Sequence, residues 1–342
     1  LRDYDSQGRF YYDVAAAERV CNWIEKLPHV KGKWAGKAET LTLQPWQSFI
    51  VCNIFGFINR DTGKRRYRDA YAEIPRKNGK SFLAAAIGLY MFCADGEYGA
   101  EVYSGATTEK QAFEVFKPAR MMALKEPELK DHYSISVQIK NLAIINDGSK
   151  FEPLIGSPGD GSSPSCAIVD EYHEHSSSDL VDTMATGMGA REQPLLLTIT
   201  TAGTDFGGPC REKREDVIKV LDGTFEDDTQ FGIIFGIDEG DEWDTEAALE
   251  KANPNIGVSV GREYLLAELA KAKRSATKQN AYKTKHLNQW VGAKVSWLNM
   301  LELQLCKKPS ISIDDFKGKP CYLGVDLATK RDVACVAFLF PE

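Results

Sequence analysis

The sequence has no C-x-x-C pair, no apolar run of membrane-spanning length, no excess of positive charge and no internal repeat. Eight cysteines, Cys21, Cys52, Cys93, Cys166, Cys210, Cys306, Cys321 and Cys335, are spread along the chain. Without paired spacing they argue against a zinc site, and a chain this long has no need of a disulfide scaffold. Several lie in apolar stretches, as small hydrophobes do, and this usage fits a reducing cytoplasm. With no transmembrane run and no signal peptide, no membrane partner is expected. The 42 Lys and Arg are outnumbered by 49 Asp and Glu, for a net charge of −7. Any grip on a polyanion must therefore come from a local patch or from several copies arranged together. Low-complexity segments are missing too. The first residue is Leu1 and not Met, so the natural N-terminus is expected to lie upstream.

What is present is the composition of a folded protein, 43% hydrophobic and 27% charged over 342 residues. That length allows two domains, or one large α/β domain with an appendage. Helical periodicity covers 13–30, and a second helix opens at Pro45 with Trp46, Phe49, Ile50, Ile54 and Phe57 on one stripe. Strands are expected at 70–74, 101–106, 166–170 and 194–201, with helices from Phe82 to Phe92, from Glu109 to Met122 and near 179–190. Alternating segments around Asp147-Gly148 read as a hairpin, and 156–165 as a turn-rich loop. Apolar strands alternating with helices indicate a mostly parallel sheet covered on both faces. From about 244 to 290 the pattern turns helical. The final stretch, CYLGVDLATKRDVACVAFLF, reads as two strands around Lys330-Arg-Asp332, the start of a second α/β domain.

The stretch AEIPRKNGKSFLAAAIGL (72–89) reads as strand, tight turn and apolar helix. A phosphate loop, G-x-x-x-x-G-K-[ST], needs backbone N–H groups at a helix N-terminus, a lysine for the β- and γ-phosphates and a hydroxyl for Mg²⁺. Gly79, Lys80 and Ser81 supply these, but Ile74 stands where the first glycine belongs. Pro75 can set the turn in its place, and Arg76 and Lys77 add positive charge. A surface turn before an amphipathic helix fits the same residues.

A second element weighs toward the nucleotide. Cys166-Ala-Ile-Val-Asp-Glu171 is an apolar strand ending in two acids, about ninety residues after the loop. Asp170 would hold Mg²⁺ and Glu171 would polarise the attacking water. The strand 195–203 ends in Thr200 and Thr201, whose hydroxyls could meet a γ-phosphate or its attacking water. A central strand with a glycine exit predicts the same run. His173 and His175 do not match H-E-x-x-H spacing, so a loop or helix-start role is expected for them.

In this order the segments LQPWQ (43–47), IPRKNGKS (74–81), SGATTEKQAFEVFKPA (104–119), AIVDEYHEH (167–175), GAREQPLLLTITTAG (189–203) and YLGVDLATKRDVA (322–334) resemble the large terminase subunit of tailed bacteriophages. The resemblance implies an additional-strand, conserved-glutamate P-loop ATPase domain (1–240), a helical linker (241–310) and the beginning of an RNase H-like nuclease domain (311–342). It implies ATP with Mg²⁺ as cofactors, Gln47 as the adenine-contacting glutamine, and Pro75, Arg76, Lys77, Asn78, Gly79, Lys80 and Ser81 as the triphosphate cradle. Asp170 and Glu171 would be the Walker B pair, and Thr200 to Gly203 the coupling motif. Asp326 would be the first ligand of a nuclease using two divalent ions such as Mg²⁺ or Mn²⁺. A two-metal nuclease needs several carboxylates from separate strands, so a chain ending at Glu342 is expected not to cut DNA, although the full-length protein would. The arginine completing hydrolysis is sought in Arg191, with Arg120, Arg211 and Arg214 as other candidates.

The implied function is ATP-driven movement of double-stranded DNA into a preformed capsid. Its partners would be a portal protein, a small terminase subunit and further copies of the chain in a ring, in host cytoplasm and docked on the procapsid. Another P-loop enzyme, helicase or kinase, and a non-catalytic ATP-binding assembly protein are the alternatives. The run from Lys271 to Lys285 carries six basic residues and no acid, with Tyr282 and His286 alongside, and is expected to form one helix lining a DNA path. Lys64-Arg-Arg-Tyr-Arg68 is a second candidate for phosphate contacts.

Overall fold

Six parallel strands form the centre of the fold in the computed structural model, which describes residues 8–37, 39–155, 161–292, 311–326 and 335–341. The chain divides into two compact units, 1–297 and 298–342. In the first, eight strands make one sheet: β1 (Asp69–Glu73), β2 (Glu101–Ala106), β3 (Ile135–Val137), β4 (Leu142–Ile144), β5 (Ser149–Ile155), β6 (Cys166–Asp170), β7 (Leu195–Thr200) and β8 (Gln230–Ile234). Their order is β8-β1-β7-β6-β2-β5-β4-β3, with β4 and β3 antiparallel and the rest parallel. The strand β7 thus separates the strand before the expected phosphate loop from the strand ending in Asp-Glu, as an additional-strand ATPase requires. The expected hairpin is the β4–β5 pair, with Gly148 in the left-handed region at φ +77°.

Flanking helices include α1 (Val14–Ile24), α2 (Pro45–Gly56), α3 (Lys80–Cys93), α4 (Glu109–Lys125), α5 (Asp179–Gly187) and α6 (Pro209–Asp222). Helix α3 is apolar on every side because it is buried on every side; Leu83 to Phe92 are all shielded. At Gly88 a Cβ would come within 2.8 Å of Ile168 and 3.0 Å of Phe151, so this helix lies tight on the sheet. Pro45 occupies the first turn of α2, as expected, but Phe49 on the expected apolar stripe is exposed.

The segment after β8 folds as α7 (Glu246–Ala252), α8 (Arg262–Lys273) and α9 (Ala276–His286) around Leu249, Leu265, Leu269, Tyr282 and Leu287. The expected single basic helix is therefore two helices, broken at Arg274 and Ser275, where Ser275 occupies the N-cap position of α9. Tyr282 and His286 face the core and not a basic surface. In the second unit, strands Tyr322–Asp326 and Cys335–Leu339 pair antiparallel, with Asp326 opposite Cys335. The turn at Lys330-Arg-Asp332, Cys306 and the side chain of Asp326 lie outside the described residues.

Candidate nucleotide site

The loop between β1 and α3 sits at the carboxyl ends of the parallel strands, where open α/β sheets place their ligands. Ile74, in place of the missing glycine, is buried, and its N–H bonds the Thr200 carbonyl at 2.9 Å. The side chain thus anchors the loop in the core instead of leaving a gap. Lys77 at φ +70° and Gly79 at φ +91° then curl the backbone. Only glycine visits that region without cost, so Lys77 must be held there, and Ser259 Oγ donates to its carbonyl at 2.6 Å.

Asn78 ties the loop together. Its fully buried amide donates to the carbonyls of Pro75 (3.1 Å) and Arg76 (3.3 Å) and to Asn253 Oδ1 (2.9 Å). Its Oδ1 accepts the Asn255 N–H at 3.0 Å, and its carbonyl accepts from Asn255 Nδ2 at 3.0 Å. Arg76 N–H bonds the Lys285 carbonyl at 2.9 Å. The helical segment after β8 therefore braces the phosphate loop. The sequence reading missed Asn253, Asn255 and Ser259; the turn-forming Asn-Pro-Asn at 253–255 was the one local signal.

Lys80 and Ser81 open α3 opposite Asp170 and Glu171, which end β6. Lys80 Nζ donates to Glu171 Oε1 at 3.0 Å, and Ser81 Oγ donates to Asp170 Oδ2 at 2.9 Å. All four line a cavity of ≈ 870 Å³ with Gln47, Arg76, Lys77, Gly79 and Asn255. Burial pushes Asp170 up to about 6, with the Glu171 charge adding to it and Lys80 opposing. For Glu171 burial also acts upward, but Lys80, His173 and Arg76 outweigh it and hold its carboxyl below the ordinary value. The two acids are thus driven apart: Asp170 is the easier to protonate and Glu171 is kept as carboxylate beside Lys80. Glu171 lies in the left-handed region at φ +50°, and its Oε2 is buried without a hydrogen bond.

Around this centre, Thr200 stands in register with Glu73, and Ile199 with Asp170. Thr200 and Thr201 are buried, with their hydroxyls at the His173 ring. Gln47 is nearly buried; its Oε1 accepts the Gln44 N–H at 2.9 Å, and its Nε2 lies 3.9 Å from where a Gly79 Cβ would be. Farther along the cavity wall, His29 stacks between Trp34 and Phe82. Glu73, wholly buried at the root of the loop, bonds Tyr71, Arg214 and Trp290 and was not expected as part of the site.

The four arginines expected as candidates to complete hydrolysis are not brought to the cavity. Arg191 precedes β7 and so lies at the amino ends of the strands, away from Asp170. Its guanidinium donates to the carbonyls of Ser163 (2.8 Å) and Gly99 (2.9 Å) and faces Glu97 and Glu101. Arg120 bonds the Gln138 carbonyl, Arg211 pairs with Glu215, and Arg214 with Glu73. In the basic run, Lys271 pairs with Glu268 and Lys273 with Asp244, while Arg274, Lys278 and Lys285 are exposed. Lys64 pairs with Glu192, Arg66 with Asp228, and Arg65 with Asp95 in a buried pair.

Comparison with known proteins bears on this arrangement. The family model described as terminase large subunit, ATPase domain, matches residues 45–219, and that of the terminase large subunit, endonuclease domain, matches 224–342. The second match begins just ahead of β8, which adds to the ATPase sheet. The large terminase subunit of Enterobacteria phage HK97 is 25% identical over 335 residues, 94% of this chain and 62% of its own length. The crystal structure of the HK97 bacteriophage large terminase superposes with a TM-score of 0.68 at 23% identity, covering 94% of this chain and 64% of that one. Protein YmfN of Escherichia coli K12 is 52% identical over 182 residues, 53% of this chain and 40% of its own. The chain thus spans less than two thirds of the length of these curated relatives. With the ATPase match covering 175 of 342 residues and the endonuclease match following it, the chain belongs to the terminase large subunit family.

Proposed function

We propose that this chain hydrolyses ATP to drive double-stranded viral DNA into a preformed capsid. The observation that carries the reading is the pairing of Lys80 with Glu171 and Ser81 with Asp170 at the mouth of one cavity. The loop amides, Lys80 and Arg76 would receive the triphosphate, and Gln47 the adenine. A hydroxyl and a buried carboxylate 2.9 Å apart are a donor set suited to Mg²⁺; Ser81 and Asp170 would hold the ion, which when bound neutralises phosphate charge. Lys80 exchanges Glu171 for phosphate oxygens, which releases the carboxylate to orient and deprotonate water. Thr200 and Thr201, at the end of the neighbouring strand, would carry the change to moving parts.

Double-stranded DNA, a capsid portal protein, a small terminase subunit and further copies of this chain in a ring are the proposed partners, in host cytoplasm on the procapsid. An arginine finger is then best sought from a neighbouring copy, since the four candidates here are engaged away from the cavity. Endonuclease activity is proposed for the whole protein, with Asp326 contributing one carboxylate to a pair of Mg²⁺ or Mn²⁺ ions. Steady-state ATP hydrolysis with and without linear double-stranded DNA and portal tests the reading. Stimulation by either supports a packaging motor; turnover indifferent to both points to another P-loop enzyme, and no turnover to an assembly role.

A further inference from the structure

His173 lies between the two parts of the site that hydrolysis must connect. Its backbone N–H donates to Thr200 Oγ1 at 3.0 Å, and Thr200 Oγ1 donates its own hydrogen to the Thr201 carbonyl at 2.9 Å. That hydroxyl has no second hydrogen to give. With that hydrogen so placed, the ring Nδ1, 3.0 Å from the same oxygen, is the N–H donor to it, while Nε2 lies 3.4 Å from Glu174 Oε1. The same Nδ1 is 3.4 Å from Glu171 Oε2, the buried carboxylate oxygen that has no hydrogen bond. Thr201 Oγ1 sits at the ring edge, 3.3 Å from Nδ1 and 3.4 Å from Nε2.

The local fold holds the ring there. Glu171 in the left-handed region turns β6 into a short 3-10 segment, Tyr172–Glu174, that brings His173 back over the end of β7. Gly203 makes the close approach possible: a Cβ there would meet His173 Cβ at 3.1 Å and the Trp290 ring at 3.1 Å. Burial lowers the pKa of His173 against the pull of Glu171 and Glu174.

We propose that His173 is a positioning residue that links Glu171 to Thr200 and Thr201. While Lys80 holds Oε1, the Nδ1–H is given to Thr200 and lies close to, but unbonded to, the open oxygen of Glu171. Once Lys80 turns to phosphate, Nδ1–H is the donor already in place to fix the carboxylate for attack, and the same ring registers its position at the end of β7. The inference rests on the ATPase reading and adds to it a residue that neither reacts nor binds nucleotide.

The test uses the full chain as wild type and as E171Q, H173A, H173N and H173Q, with ATPase kinetics, binding of a fluorescent ATP analogue and thermal melting. Asparagine places its amide nitrogen near Nδ1, whereas glutamine reaches toward Nε2. Expected for H173A is a fall in kcat of about 10- to 100-fold, with KM and analogue affinity within about twofold of wild type, the range open to a group that touches no nucleotide. H173N should recover most of the rate and H173Q little. A kcat for H173A near wild type while E171Q is inactive would overturn the role of His173 alone. Equal loss in all three His173 variants with a falling melting temperature would reduce His173 to a structural residue and also overturn it. Hydrolysis surviving in E171Q would instead refute the role of Glu171 on which the inference rests, and no hydrolysis by the wild type would refute the ATPase reading beneath both.

Discussion

Asn78 is where the brace on the phosphate loop can be measured. Replacing it with alanine leaves Asn253 Oδ1 and the Asn255 N–H buried without their partner. Each such orphan costs about 1–3 kcal/mol, so Asn78→Ala should destabilise the first unit by about 3 kcal/mol and lower its melting temperature by about 6–12 °C. Asn78→Asp separates geometry from volume. The carboxylate fills the same space and still accepts from Asn255, but its second oxygen faces the carbonyls of Pro75 and Arg76 and Asn253 Oδ1, all acceptors, at 2.9–3.3 Å. It also puts negative charge in a loop that must receive phosphates. Asn78→Asp should therefore bind ATP more weakly than Asn78→Ala, by about tenfold. Differential scanning fluorimetry and equilibrium ATP binding on the three proteins decide it. Melting of Asn78→Ala within about 1 °C of wild type, or equal ATP affinity in the two variants, would show that Asn78 does not brace the loop.

Two further predictions concern the helical segment. Burial lowers His286 to about 4, against an ordinary 6.5, and its Nδ1 has no hydrogen bond. The unfolded chain takes up the proton first, so this contribution is complete above 6.5 and is lost as pH falls toward 4, amounting to about 3 kcal/mol. Urea titrations across that window should show the loss, and His286→Gln should flatten it. For DNA, Lys271 and Lys273 already have acidic partners, so alanine at Arg274, Lys278 and Lys285 should have the larger effect. If all three touch phosphate, the slope of log affinity against log salt falls by about 0.9 for each; an unchanged slope sinks that DNA path.

What could be read from the sequence was local. Strand β1, the Gly79-Lys80-Ser81 turn and α3 are contiguous, and an apolar run ending in Asp170-Glu171 announces a buried strand that reaches a polar edge. What could not be read depends on contacts between distant residues. Nothing near Asn78 announces that Asn253 and Asn255, 175 and 177 residues away, will hold it. The basic run looked like one face because its charges are close in sequence, yet the break at Arg274–Ser275 divides it between two helices and turns Tyr282 inward. Arg191 illustrates strand direction: residues just before β7 belong at the amino end of the sheet, opposite a site built on carboxyl ends. That deduction was available from the parallel pattern alone. His173 had no motif to declare it, because its role depends on the left-handed turn at Glu171.

The most direct test of the account is ATP binding and single-turnover hydrolysis measured together on wild type and Glu171→Gln. Binding is expected at wild-type affinity or tighter, since the neutral amide no longer competes for Lys80, with hydrolysis slowed by about two orders of magnitude or more. Hydrolysis at the wild-type rate in Glu171→Gln would contradict it.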